Sequence, residues 1–291
     1  MDAIKNWLLE QSPSPTSALY RYRRFQTGPA DDALAELQKF AREAHRDALH
    51  RLEAMLRPAM EPFPGASSAE QNAPTGYPYE LHSITLQGYF GELLAAAMVQ
   101  VAAPFGEDGW EVPAFRWRVN VFEVYRALER YRMDRTEIPA IFGAHGDDCT
   151  AFQLSDEDGT IRAYLICEAK CTTTHRSDLI ANAHEQISRR DPTAMDIPQL
   201  QEVLKDAPSE VRERWTDPLW RLYYRGPSVV PRRHLVLYVY GQRPVRTEGW
   251  LSAEKPHAEY TAPEPLEAVE LYVDDVAGLI AAVYAEEPAW T

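Results

Sequence analysis

Cysteine is scarce in this chain: three residues in 291, at positions 149, 167 and 171. So small and odd a number builds no disulfide framework and fits a reducing compartment. Cys167 and Cys171 stand as C-x3-C with no second pair, so buried thiols are expected rather than a zinc site. Long apolar runs are missing too. The longest, LLAAAMVQVAAPF over 93–105, contains Gln100 and is too short to span a bilayer. The first residues, MDAIKNWLLEQSPSP, hold no apolar stretch of signal-peptide length, so the expected location is cytoplasmic, without membrane contact. Positive charge is also short: 30 Lys and Arg against 44 Asp and Glu leave a net charge of −14. Such a field repels phosphate and argues against unaided, nonspecific binding to nucleic acid. No Gly-Lys dipeptide occurs, which excludes a phosphate-cradling NTPase loop, and no G-x-S-x-G nucleophile elbow is present. Gly143 and Gly146 alone make a poor dinucleotide fingerprint, and HEQIS at His184 lacks the second histidine of a zinc protease.

What remains is an ordinary globular composition, 45% hydrophobic and 25% charged, in a chain long enough to bury a large core. No internal repeat is visible. Residues 31–56 carry apolar positions at helical spacing behind Asp31-Asp32, predicting a long amphipathic helix. Residues 57–80 are dense in Pro, Gly, Ser and Ala and read as a linker. The expected organisation is therefore a helical N-terminal region with linker over 1–75, followed by an α/β domain over 76–291. Further helices are expected over 86–103, 119–131 and 176–190. A strand is expected over 232–241, and a strand with a closing helix near the C-terminus. Three basic clusters, YRYRRF over 20–25, Arg189-Arg190 and Arg232-Arg233, are open to two readings, phosphate contact or solvated surface.

The stretch HGDDCTAFQLSDEDGTIRAYLICEAKC over 145–171 carries the chemistry. CTAFQL and IRAYLICEAK flank the polar SDEDGT, the pattern of a β-hairpin. A hairpin turning about Asp158 sets Cys149 opposite Cys167 and Asp148 opposite Glu168. Opposed residues share a face about 5 Å apart, and alternation adds Lys170 to that face. Asp147 would point away, and a register slip of one residue would exchange it with Asp148. Two clustered carboxylates call for a cation, and hard oxygen ligands suit Mg²⁺, with Mn²⁺ able to substitute. A neighbouring ammonium, Lys170, could help activate an attacking water, and the Ala169 carbonyl could add a ligand. Metal ligands, a lysine and room for water form the kit for phosphodiester hydrolysis. His145 and His175 flank this site in sequence as further phosphate contacts or as solvated loop residues.

An acidic residue heading one strand, with E-x-K about 20 residues later on the next, resembles the PD-(D/E)XK nuclease superfamily. The residues here are Asp148, Glu168 and Lys170. Asp147 stands where the superfamily's name has proline. The set GYFGELL, HGDDCTAF and CEAK, with the closing VELYVDDVAGLI, looks most like the HamA effector family of the bacterial antiphage Hachiman system. The resemblance spans roughly residues 81–285. It implies a mixed β-sheet with a central hairpin flanked by helices, and a glutamate from the preceding helix, here Glu92. Glu92, Asp148 and Glu168 would then bind the metal, with Lys170 beside them in catalysis on DNA and a helicase as partner. Gln186 would begin the downstream Gln-x-x-x-Tyr motif of some members, but Arg190 replaces the tyrosine, which leaves Gln186 without an assigned role. Two other readings stand beside this one: a non-catalytic clamp or regulatory subunit of a helicase complex, and a stand-alone restriction-type endonuclease.

Overall fold

The computed structural model describes residues 1–11, 17, 19–29, 31–60, 77–115, 124, 126–128, 130, 140, 148–190, 197–205, 207–226, 229–243 and 249–285. The first described elements are helix α1 (Asp2–Trp7), strands β1 (Leu8–Glu10) and β2 (Tyr20–Thr27), and helices α2 (Asp31–Met60) and α3 (Ser83–Val101). They are followed by strands β3 (Trp110–Glu111), β4 (Cys149–Leu154) and β5 (Ile161–Thr172). Then come helices α4 (Ser177–Ser188), α5 (Ile197–Leu204) and α6 (Ser209–Arg225), strands β6 (Arg232–Tyr240) and β7 (Leu266–Tyr272), and helix α7 (Val276–Val283). The strands form one mixed sheet of seven in the order β1-β2-β7-β6-β5-β4-β3. The inner strands β2, β7, β6 and β5 run parallel, while β1, β4 and β3 are antiparallel to their neighbours.

Both faces of the parallel strands are covered, which explains the near-continuous apolar run LVLYVY in β6. One face, with Leu165, Cys167, Leu237, Val239 and Leu271, packs with residues of α2, α3 and α7. The other, with Tyr164, Ile166, Val236 and Tyr238, packs with residues of α4, α5 and α6. Helix α3 is apolar nearly all round because it is a core helix. The stretch Ser83–Gly106 is long and apolar enough by composition to cross a membrane, yet 61% of its most apolar window is buried inside the protein.

The N-terminal region departs from the expected purely helical extension. YRYRRF is strand β2, paired with β7 in the interior of the sheet, and so lies within the same sheet as the domain expected from residue 76 onwards. Period-two alternation puts Tyr20, Tyr22 and Arg24 on one face and Arg21, Arg23 and Phe25 on the other, and the arginines carry charge towards buried glutamates of β7. Arg23 is buried and held bidentately by Glu10, Nε and Nη2 each 2.7 Å from a carboxylate oxygen, with Nη1 3.3 Å from buried Glu267. Helices α5 and α6, with the short strands β1 and β3, are elements beyond those expected. Most of 119–131 lies outside the described residues; 124, 126–128 and 130 are helical.

Candidate active site

The β4–β5 hairpin has the register expected at its open end, with Cys149 opposite Cys167 and Thr150 opposite Ile166. At the turn end an irregularity between Gln153 and Leu154 puts Leu154 opposite Ile161, where a regular hairpin turning about Asp158 would set Ser155. The turn closes through Asp158, whose Oδ1 accepts the Thr160 amide at 3.0 Å, and Gly159 supplies a φ of +64°. Its carboxylates are exposed and remote from the open end.

At the open end β4 stops, and the edge of β5 needs another acceptor for its next amide. Asp148 supplies it. Its own N–H donates to the Cys167 carbonyl at 3.1 Å, and its Oδ2 accepts the Ala169 N–H at 2.7 Å. Asp148 is thereby fixed beside Glu168, and its charge acts on the Glu168 carboxyl. Asp147 and His145 lie outside the described residues.

Glu168 and Lys170 alternate onto the sheet face that α4 covers. Lys170 Nζ lies 2.7 Å from Glu168 Oε1. Helix α4 and the second residue beyond its end add two more side chains, to which sequence alone gives no role in the site. Gln186 Oε1 accepts from Lys170 Nζ at 3.2 Å, and Arg190 Nη2 lies 3.4 Å from Glu168 Oε2. Gln186 and Arg190 are four residues apart, the spacing that puts two side chains over one strip of surface. Glu168 is only 2% exposed. Burial first, and the Asp148 charge second, push its carboxyl up to about 8, against the pull of Lys170 and Arg190. The site is therefore a buried acid that needs positive charge around it.

Glu92 occupies a different setting. It follows Gly91 on α3, where a Cβ at Gly91 would meet Cys171 Cβ at 3.2 Å, on the face of β5 opposite Glu168 and Lys170. Burial, and after it the Glu92 charge, raises the phenol pKa of Tyr77; at Tyr284 and Tyr89 burial, Tyr77 and then Glu92 do the same. Among the described residues no group of three His, Cys, Asp or Glu side chains is placed to hold a metal. His175 packs elsewhere, stacked on Trp250 at 3.6 Å with Nδ1 3.1 Å from the Tyr238 hydroxyl. All three cysteines are free thiols, and Cys149 and Cys167 are buried.

No model of a known protein family matches this chain, and a search of curated proteins finds no match.

Proposed function

We propose that this chain is a metal-dependent nuclease that hydrolyses phosphodiester bonds in DNA. The observation that carries the reading is the meeting of Asp148, Glu168 and Lys170 at the open end of one hairpin, with Gln186 on the lysine. The donor set fits Mg²⁺ or Mn²⁺: carboxylate oxygens from two neighbouring residues, with the remaining positions left to water and substrate phosphate. Asp148 and Glu168 would hold the ion, which when bound lowers the pKa of a coordinated water and neutralises charge developing on the phosphate. Lys170 is kept at that position by Glu168 on one side and Gln186 on the other. Its ammonium gives a fixed positive charge where a hydroxide or a pentacovalent phosphorane would form. Glu92 as a third ligand rests on the family resemblance alone.

The net charge of −14 favours delivery of DNA by a partner, and the resemblance to the HamA family names a helicase in antiphage defence. The same reading places the protein in the cytoplasm. The rival reading is a non-catalytic clamp on the helicase. Cleavage separates the two. Glu168→Ala and Lys170→Ala should each abolish Mg²⁺-dependent DNA cleavage while circular dichroism stays that of the parent protein. Undiminished cleavage by both variants would sink the nuclease assignment, and no cleavage by the parent in Mg²⁺ or Mn²⁺, with its partner present, would favour the clamp.

A further inference from the structure

Helix α6 (Ser209–Arg225) points two stripes of large side chains in different directions. Trp215, Leu219 and Leu222, at helical spacing, are buried in the core on the α4 side of the sheet, with the Trp215 ring 5.9 Å from Phe152. Trp220, Tyr223 and Tyr224 make a second stripe, also at neighbouring positions of one helix face. Core packing does not explain it: Tyr223 is 42% and Tyr224 78% exposed, and Trp220 is half-buried. The Trp220 and Tyr224 rings stack with centroids 5.5 Å apart and planes 22° from parallel, and Tyr223 meets both edge-on. The three rings thus form a ledge in which each ring holds the others in place.

The ledge is flanked by positive charge in a chain whose net charge is −14. From Pro218 to Arg225 the sequence holds Arg221 and Arg225, both exposed, and no acidic residue. Arg221 stands close enough to the β4–β5 turn for its charge to act on Asp158, after the Thr160 hydrogen bonds that dominate there. Asp158 and the preceding Asp217 are both exposed, so solvent screens their opposition to an anion. The ledge therefore lies at the turn end of the hairpin. Glu168 and Lys170 lie towards the other end, and β5 covers roughly 23 Å from Ile161 to Glu168. Exposed aromatic faces beside guanidinium groups match a single nucleic-acid strand on both counts, since it offers bare base faces to stack and phosphates to pair. A duplex keeps its base faces inside the stack. We propose that the ledge binds single-stranded DNA, with bases stacked on Tyr224 and Trp220 and phosphates against Arg221 and Arg225. The choice of DNA rests on the nuclease reading, and the ledge names the strandedness of that substrate. Stacking does not depend on net charge, so it gives an acidic chain a hold on a strand that its overall field repels.

The test is fluorescence anisotropy of a labelled oligo(dT) titrated with the full chain in EDTA, so that no metal takes part. Tyr224→Ala and Trp220→Ala should each weaken binding about tenfold, the effect of removing one stacked base. Tyr224→Phe keeps the ring and should bind as the parent does. Arg225→Gln should weaken binding less and make it less sensitive to salt. Tyr224 is so exposed that its truncation leaves the fold unchanged, which keeps the test decisive even where Trp220→Ala unfolds the chain. A duplex of the same length should bind parent and Tyr224→Ala alike. No binding of oligo(dT) by the parent, or parent-like binding by Tyr224→Ala, would overturn the inference, and so would an equal loss on the duplex. Loss of binding to a protein partner by Tyr224→Ala, with oligo(dT) binding intact, would make the ledge a protein-docking surface instead. A chain that binds oligo(dT) through the ledge and cuts no DNA in Mg²⁺ or Mn²⁺ keeps this inference and loses the nuclease reading; cleavage without ledge binding does the reverse.

Discussion

Lys170 and Gln186 meet side chain to side chain, Nζ to Oε1 at 3.2 Å, across the boundary between β5 and α4. The amide oxygen holds the ammonium without changing its charge, so its loss loosens Lys170 but does not remove it. Positioning of this kind acts on the chemical step more than on binding. On the proposed nuclease reading, Gln186→Ala should therefore lower kcat for Mg²⁺-dependent cleavage by about tenfold while KM for DNA stays nearly constant. Gln186→Glu adds a third carboxylate beside Asp148 and Glu168, and should tighten Mn²⁺ binding while leaving Lys170 more firmly paired. A kcat for Gln186→Ala equal to that of the parent would show that Glu168 alone places the lysine.

Asp148 does two jobs that substitution can separate. It closes the edge of β5 by accepting the Ala169 amide at 2.7 Å, and it is a candidate metal ligand. Asp148→Asn keeps a carbonyl oxygen for the amide and removes the charge; Asp148→Ala removes both. Thermal unfolding in metal-free buffer should show Asp148→Ala less stable than Asp148→Asn by about 1 kcal/mol, the net worth of one hydrogen bond. Mn²⁺ titration should find both equally defective. Retention of metal binding by Asp148→Asn would shift the ligand role to another residue.

Much of this arrangement is legible in the sequence because strand geometry is local. The turn residues and the period-two alternation of β4 and β5 are enough to oppose Cys149 with Cys167, and hence to bring Asp148 beside Glu168. The irregularity near Leu154 escapes such a reading because one extra residue near a turn leaves no mark on the apolar pattern. Gln186 and Arg190 are visible as a pair four apart, but only the packing of α4 over β5 shows that Gln186 reaches Lys170 and Arg190 reaches Glu168. Strand β2 is hidden for a different reason. Arginines in YRYRRF look solvated unless their partners are known, and Glu10 is ten or more residues away while Glu267 lies at the other end of the chain.

That partnership carries its own prediction. Arg23 is the link between Glu10 and the buried Glu267, whose other partners are the Phe105 amide at 2.6 Å and Arg21 at 3.5 Å. Burial pushes the Glu267 carboxyl upward, and the arginines work against that. Arg23→Ala should destabilise the protein by about 3 kcal/mol, because it takes from a buried acid one of its two arginines. Replacing the pair together, Arg23→Met with Glu267→Met, should recover a large part of that loss. Urea unfolding of the two single variants and the double variant gives the coupling directly, and additive effects would rule out the link.

Acid sensitivity should arise from buried histidine, with His45 the clearest case. Its ring lies between α2, Tyr77 and α7, Nδ1 2.8 Å from the Tyr77 hydroxyl and Nε2 3.4 Å from that of Tyr284, with the Tyr89 ring packed alongside at 5.1 Å. Burial lowers its pKa to about 3. The folded protein therefore refuses a proton that the unfolded chain accepts near pH 6.5. The stability held by the neutral ring is complete above that pH and drains away as pH falls from about 6.5 towards the folded value. Between pH 7 and pH 5 this single group should cost the parent about 2 kcal/mol. His45→Phe loses two hydroxyl contacts and should be the less stable protein at pH 7, yet its further loss on acidification to pH 5 should be smaller by that amount. Urea unfolding of both proteins at the two pH values measures the difference. Parallel losses in parent and variant would mean that His45 takes up its proton within the fold.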